Sequence, residues 1–393
     1  MNHFYLDIFC QQQFKHNQRI CGDVFLSQRI KEEKRTILVL SDGMGHGVKA
    51  NILATLTATM AVSFTKNHRD HYKIAEILMN TLPVCSVRKM SYATFTIIDI
   101  EPDGLVHIIE YDNPKTLVFR GRKSLDVGWQ CMWLNNEKFK GKEILTCTFQ
   151  AQKEDRIVTM TDGIVQAGMG TNEMPFGWEI ENVEQYIAAN IQKDKTISAE
   201  ELAEKIVKKA VKHDAFMPGD DTSACVVYFR EPRSLLICTG PPFDKQNDKI
   251  YAQKLKEFNG KKILCGATTA DIIAREWNET ITDTLDFIDP DLPPISYMNG
   301  VDLITEGILT LTKVFNLLKN FKQEYLYMKG PAHQILKMLI ESDYITFIIG
   351  TKINEAHQDP NLPMDIEIRR TVIRQIAQLL EEKWLKTVYL EYI

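Results

Sequence analysis

The chain has 393 residues, of which 44% are hydrophobic and 25% are charged, and its formal net charge is −5. This composition excludes wholesale disorder, and the length favours two domains. The mildly acidic balance gives no indication of a nucleic-acid surface, and no apolar run reaches the roughly 20 residues of a membrane span.

Cysteine usage and the N-terminal residues bear on the compartment. The eight cysteines are scattered, without a CxxC pair and without a histidine at the spacing of a zinc site. This pattern predicts reduced thiols. The first residues lack the charged-then-apolar layout of a signal peptide. We therefore expect a cytoplasmic protein that binds neither nucleic acid nor a membrane.

The first half of the chain is predicted to be rich in strands. Residues 101–104, Glu-Pro-Asp-Gly, have turn chemistry and predict a hairpin between two apolar runs. The predicted strands are 36–41, 92–100, 105–111, 116–119, 156–161 and 223–229. The predicted helices are 48–63, 71–81, 181–190 and 198–213, and the last of them opens with the capping box Ser198–Glu201.

The pattern changes near Arg230-Glu-Pro-Arg233, so we place a domain boundary there, between domains 1–232 and 233–393. The predicted strands beyond it are 235–238, 262–265, 344–349 and 387–392. The predicted helices are 250–258, 269–277, 301–318, 332–341 and 369–384, with loops at 289–294 and 354–357. Alternating strands and helices predict a smaller α/β domain with a mostly parallel sheet.

Aspartates lie at the ends of several predicted strands. They occur in Ser41-Asp42-Gly43, Thr161-Asp162-Gly163 and Gly219-Asp220-Asp221-Thr222, and Gly22-Asp23 is a fourth candidate. Any one of these motifs alone is typical of a turn. Carboxylates that converge from several strands repel one another unless a cation neutralises them, and Mg²⁺ and Mn²⁺ prefer such oxygen ligands. Two such ions could activate a water molecule and hold a phosphate for in-line attack.

The same motifs, read as Gly22-Asp23, Ser41–Gly47, Thr161–Gly163 and Gly219–Thr222, follow the order and approximate spacing of a known family. Over about residues 1–230 the chain resembles the metal-dependent serine/threonine protein phosphatases, in particular the bacterial stage II sporulation protein E-like branch. Residues 93–99 and 113–120 also resemble that branch. The resemblance implies an α/β (α+β) fold, an αββα sandwich of two antiparallel sheets flanked by helices.

The resemblance also implies a function and its cofactors. It implies hydrolysis of phosphoserine or phosphothreonine in a bacterial signalling protein, such as an anti-sigma-factor antagonist, with two Mn²⁺ or Mg²⁺ ions. Asp23 would bind one ion. Asp42 would bridge both ions, with the carbonyl of Gly43 as a further ligand. Asp162 and Asp220 would bind the other ion, and Asp221 would lie behind Asp220. In chemical terms Asp221 is an equally good oxygen ligand, so it stays the alternative to Asp220.

Two further residues have alternative roles. His46 could donate a proton to the leaving oxygen or could hold the glycine-rich loop by a hydrogen bond. Arg19, four residues before Asp23, could hold the phosphate or could be an ordinary surface residue.

The domain 233–393 resembles no family from which an activity can be transferred. Residues 236–242 and 264–269 place glycine or threonine between a predicted strand and a helix. They are either ordinary turns or a site for a small anionic ligand such as a nucleotide. Because the chain begins close to the catalytic motifs, we expect this domain to regulate activity. Two alternatives to a phosphatase remain open: a non-catalytic phosphatase-fold scaffold and an ATP-binding kinase-like module. A homo-oligomer also remains open.

Overall fold

The computed structural model describes residues 4–30, 32–45, 47–67, 70–81, 93–133, 143–284, 288–352, 364–384 and 386–393, with only the backbone of 364–367. The chain forms two compact units, Met1–Glu231 and Pro232–Ile393. The predicted functions of the two units, catalysis for the first and regulation for the second, stay predictions.

The first unit contains two antiparallel sheets. Its strands are β1 (Tyr5–Gln13), β2 (Asp23–Ile30), β3 (Arg35–Asp42), β4 (Phe95–Ile100), β5 (Leu105–Tyr111), β6 (Leu117–Arg120), β7 (Lys123–Ser124), β8 (Gln130–Trp133), β9 (Glu143–Gln150), β10 (Asp155–Met160) and β11 (Thr222–Arg230). One sheet has the order β1-β11-β10-β6-β7, and the other has the order β2-β3-β4-β5-β9-β8. Every neighbouring pair in both sheets is antiparallel.

Helices cover the outer face of each sheet. They are α1 (Gly47–Asn67), α2 (His71–Thr81), α3 (Asp162–Val165), α4 (Ile180–Lys193) and α5 (Ala199–His213). Strand β3 shows how a continuous apolar run serves two layers, because successive side chains point to opposite faces. Ile37 and Val39 pack with α1 and α2, whereas Leu38 packs between the two sheets. The layers are helix, sheet, sheet and helix, so the predicted sandwich is confirmed.

Helix α1 bears on the membrane expectation. In the part of the chain that the structure describes, it is the one helix long and apolar enough to cross a membrane by length and composition. Its small residues Ala50, Ala54, Ala58 and Ala61 are buried, and Ala58 and Ala61 pack in the core with Val39. The core helix of a soluble protein passes the same test, so this is weak evidence for a membrane span.

The second unit is built on one mixed sheet. Its strands are β12 (Ser234–Thr239), β13 (Lys261–Cys265), β14 (Thr282–Asp283), β15 (Ser296–Met298), β16 (Val301–Thr305), β17 (Tyr344–Ile349) and β18 (Thr387–Tyr392). The order is β14-β15-β16-β13-β12-β17-β18, and the five strands from β16 to β18 are parallel. The predicted mostly parallel sheet is confirmed.

Helices lie on both faces of this sheet. They are α6 (Asp248–Glu257), α7 (Ala267–Trp277), α8 (Ile308–Lys319), α9 (Pro331–Glu341) and α10 (Met364–Trp384). Helices α6 and α7 contribute to one core, and α8, α9 and α10 contribute to the core on the opposite face.

The prediction of one helix over 301–318 is wrong. Val301–Thr305 is strand β16, and the helix begins only at Ile308. Leu303 and Ile304 belong to the cores on opposite faces of the sheet, which is the alternation of a strand. Gly307 separates the two elements as the N-cap of α8.

Candidate metal centre

Strand pairing brings the predicted aspartates to one end of the first unit. Strand β2 pairs with β3 so that Asp23 lies directly opposite Asp42. Asp162 begins α3 just after β10, and Asp220 lies just before β11, the neighbour of β10 in the sheet. The backbone N–H of Thr161 donates to the carbonyl oxygen of Ser223 at 3.1 Å, which holds these two strand ends together.

Asp23 is buried, with 2% of its surface exposed. Its Oδ2 accepts hydrogen bonds from the hydroxyl groups of Thr161 at 2.8 Å and Ser223 at 2.6 Å. Its Oδ1 is buried without a hydrogen-bond partner. Burial raises the pKa of Asp23 to about 7, and the two hydroxyl donors limit this rise. The carboxylate is therefore held in one orientation with one oxygen available to a cation.

Asp42 and Asp162 face each other across the two strand ends. Burial raises the pKa of Asp42 to about 9, and four neighbouring negative charges add to the effect. These charges belong to Asp23, Asp162, Asp220 and Asp221. The pKa of Asp162 is also raised, by burial first and by the charge of Asp220 second. Oδ2 of Asp162 accepts a 2.8 Å hydrogen bond from Gln166, whereas its Oδ1 is buried without a partner.

Asp220 and Asp221 are in different surroundings. Asp220 is half-buried, and its Oδ1 accepts the backbone N–H of Asp221 at 2.9 Å. Asp221 is 3% exposed, and its Oδ1 accepts the backbone N–H of Lys15 at 3.0 Å. Its Oδ2 has no partner and lies 2.7 Å from where a Cβ on Gly22 would be.

Two glycines beside the aspartates are required by close packing. A Cβ on Gly43 would lie 2.0 Å from the carbonyl oxygen of Ala50 in α1. A Cβ on Gly163 would lie 2.2 Å from the carbonyl oxygen of Asp221. Both distances are far below van der Waals contact, so any side chain here would push Asp42 or Asp162 out of place. The predicted role of the Gly43 carbonyl as a ligand stays a prediction.

Sequence reasoning missed the polar residues that position the aspartates. Thr94 brackets Asp42, because its hydroxyl accepts the Asp42 N–H at 3.3 Å and its own N–H donates to the Asp42 carbonyl at 2.9 Å. The amide of Asn113 accepts a 2.5 Å hydrogen bond from the Thr94 hydroxyl. Asn113 lies in a segment noted for its resemblance to the family, which was the one available signal. Thr161 and Ser223 flank the predicted aspartates but had no predicted role.

Two residues had alternative predicted roles. His46 lies outside the described residues. Arg19 is exposed in the loop between β1 and β2, and both of its roles stay predictions.

The carboxylate oxygens of the aspartates are the donors that a divalent cation would use at this end of the first unit. Among the residues that the structure describes, no group of three or more His, Cys, Asp or Glu side chains stands ready to hold a metal ion. Neighbouring aspartates nevertheless help to raise the pKa values of Asp23, Asp42 and Asp162, and three of the five aspartates have a buried carboxylate oxygen without a partner. Negatively charged oxygens are the ligands that Mg²⁺ and Mn²⁺ prefer. The chemistry of the residues present therefore fits a hard divalent cation.

Comparison with known sequences identifies the family. A sequence model described as stage II sporulation protein E (SpoIIE) matches residues 32–230, half of the chain. The chain belongs to the SpoIIE family. The matched segment begins just before β3 and ends with β11. It therefore contains Asp42, Asp162 and Asp220. A search of curated proteins found no match.

Several solved structures match parts of the chain at low sequence identity. The phosphatase domain of SpoIIE from Bacillus subtilis is 15% identical, with a TM-score of 0.45, over 59% of this chain and 95% of that domain. The RsbU and RsbW domains of a Mycobacterium tuberculosis protein are 15% identical, with a TM-score of 0.45, over 64% and 67% of the two chains. RsbX in complex with magnesium is 17% identical, with a TM-score of 0.40, over 58% and 100%.

Proposed function

We propose that the chain is a divalent-cation-dependent protein phosphatase that hydrolyses phosphoserine or phosphothreonine. The observation that carries the proposal is the convergence of five aspartates on one end of the sandwich, with buried carboxylate oxygens that lack partners. So many negative charges would repel a phosphate unless cations were present. The SpoIIE family assignment supports the same activity.

Asp23, Asp42, Asp162 and Asp220, with the carbonyl of Gly43, would hold two Mn²⁺ or Mg²⁺ ions. Their side chains would have to close around the ions. Such ions, when bound, lower the pKa of a water molecule and offset the charge of the phosphate. In the hydrolysis the water oxygen bonds to phosphorus, the ester P–O bond breaks and the serine or threonine oxygen takes up a proton. The hydroxyls of Thr161 and Ser223 keep Asp23 in orientation throughout.

The surface beside the aspartates supports a protein substrate. The N–H of His16 donates to the carbonyl of Pro218 at 2.9 Å, so the loops before Asp23 and before Asp220 lie together. These loops carry four large, exposed apolar side chains: Phe14, Ile20, Phe216 and Met217. Exposed apolar groups of this kind mark surfaces that bind proteins. We propose that they contact a cytoplasmic phosphoprotein of the anti-sigma-factor antagonist type.

Hydrolysis of p-nitrophenyl phosphate and of a phosphoserine peptide by the full chain tests the proposal. We expect turnover with Mn²⁺ or Mg²⁺, loss of turnover with chelator, and recovery when the ion is restored. Asp162→Asn should reduce the rate by about 100-fold or more, because it removes charge from the proposed ion site. The matched control is Asp126→Asn, an exposed aspartate whose side chain accepts the N–H of Gly128.

Circular dichroism would establish that both variants fold. Full turnover in chelator, or in folded Asp162→Asn, would contradict the metal-dependent mechanism. A folded chain that binds Mn²⁺ but hydrolyses neither substrate would favour the non-catalytic scaffold.

A further inference from the structure

The second unit contains a cavity of about 750 Å³ at the carboxyl ends of its parallel strands. Its wall includes Gly266 from the β13–α7 turn, Thr268 and Thr269 from the first turn of α7, Ile304 from β16, and Pro294 and Arg369. Parallel α/β sheets bind ligands at this edge, and the volume is typical of a small-molecule site.

The turn after the first strand, β12, is unsuited to an anion. In doubly wound sheets with the order β16-β13-β12-β17, this turn is the usual position of a phosphate. Here it contains Pro241 and Pro242, which have no N–H to donate. The carbonyl oxygens of Gly240 and Pro241 pack against Gly350, within 2.3 Å and 2.1 Å of where a Cβ would be. The turn therefore offers carbonyl oxygens, which accept hydrogen bonds and do not attract an anion.

The turn after the second strand, β13, has the opposite character. Gly266 is the N-cap of α7 with φ of 117°, and it offers no side chain to the first N–H groups of the helix. In the described part of the chain, the N–H groups of Ala267, Thr268 and Thr269 have no acceptor, and the first turn contains no acidic residue. Such a helix N-terminus attracts an anion.

Thr269 provides a second, independent observation. The residue is among those that line the cavity although it is only 1% exposed. Its hydroxyl has no hydrogen-bond partner and lies 3.6 Å from where a Cβ on Gly266 would be, so it points back to the start of the helix. A buried hydroxyl without a partner is costly unless a ligand or water satisfies it.

The neighbouring helix α8 shows what is absent from α7. Gly307, its N-cap, lies close to Gly266, with 3.5 Å between the position of a Cβ on Gly307 and the Cα of Gly266. Oε2 of Glu306 accepts the N–H groups of Leu309 at 3.1 Å and Thr310 at 3.2 Å. The protein thus supplies its own carboxylate to one of two adjacent helix N-termini.

We propose that the N-terminus of α7 binds the phosphate group of a small molecule whose remaining part fills the cavity. Arg369 and Lys352 line the same cavity and favour an anion. Asp271, Asp283 and Glu306 line it too, and carboxylates accept hydrogen bonds from hydroxyl or amino groups. A ligand that carries a phosphate together with hydroxyl or amino groups matches both sets of residues. This chemistry describes a nucleotide or a sugar phosphate.

Isothermal titration calorimetry tests the site. The full chain, in the presence of chelator, is titrated with AMP, adenosine, glucose 6-phosphate and inorganic phosphate. Thr268 is exposed at the second position of α7, where glutamate is compatible with the helix. We expect AMP or glucose 6-phosphate to bind, and Thr268→Glu to weaken that binding by about 10-fold or more through charge repulsion. Thr268→Gln, of equal size but neutral, should retain it. Thr269→Val should weaken binding without unfolding the chain.

Several outcomes would overturn the proposal. Adenosine that binds as tightly as AMP would mean that the phosphate is not recognised. Equal affinities in folded Thr268→Glu and Thr268→Gln would place the phosphate elsewhere. If AMP, glucose 6-phosphate and inorganic phosphate all failed to show saturable binding, the site would be excluded.

Discussion

Asp220 and Asp221 are adjacent in sequence but differ in their surroundings. Asp220 is half-buried and its charge acts on Asp162, whereas Asp221 is buried and its carboxylate fixes the Lys15 backbone. We expect Asp220→Asn to lower the rate of phosphate-ester hydrolysis by more than 100-fold, and Asp221→Asn by about 10–100-fold, since the latter only supports the ion site. Steady-state kinetics at saturating Mn²⁺ measures both.

Melting temperatures of the two variants provide the control, because Asp221→Asn could act by loosening the loop at Lys15. If Asp221→Asn remained folded and lost more activity than Asp220→Asn, the ligand would have been assigned one residue too early.

At the same scale, the sequence predicted the aspartates but not their partners. Asp42, Asp162 and Asp220 lie at or beside the ends of predicted strands, and that pattern is visible locally. Ser223 is 200 residues from Asp23, and their hydrogen bond exists only because β11 and β2 end at the same place in the sandwich. Such pairings depend on tertiary structure and leave no local trace.

Among the elements, strand β5 contains a buried carboxyl group that is not one of the proposed metal ligands. Glu110 is 1% exposed, and its Oε2 accepts bonds from the Thr116 N–H and from the hydroxyls of Thr116 and Thr96. Burial raises the pKa of Glu110 to about 7 from the usual 4.5 of glutamate. The folded state therefore binds more protons than the unfolded state between these pH values, and stability falls as pH rises through this range.

Glu110→Gln removes this titration while keeping an acceptor for the three hydrogen bonds. Relative to wild type, we expect the variant to gain about 3 kcal/mol in free energy of unfolding between pH 4.5 and pH 8, from a shift of about 2.5 pH units. Urea unfolding across this pH range measures the difference. Exposed Glu181→Gln in α4 is the control, and a difference that does not change with pH would contradict the assignment.

Element prediction succeeded where a local signal existed. Ser198 is the N-cap of α5 and accepts the N–H of Glu201 at 3.1 Å, as the capping box predicted. Strand β1 was missed because its last three residues are glutamines, which have no strand-like alternation. Strand β16 was joined to α8 because Val301–Thr305 is a short apolar run directly before a helix, and such runs are ambiguous.

For the whole molecule, the prediction is that the second unit regulates the first. A ligand can change activity only if it binds the active and inactive states with different affinities. If AMP or glucose 6-phosphate binds at α7, it should change the phosphatase rate of the full chain by about 5-fold or more, a common size of allosteric coupling. The rate of Thr268→Glu should not respond to the same compound, whereas Thr268→Gln should respond as wild type does.

Binding at α7 with an unchanged rate would refute the regulation and leave the ligand site intact. A rate that responded equally in wild type and in Thr268→Glu would place the effect at the phosphatase centre, where any phosphate ester can compete with the substrate.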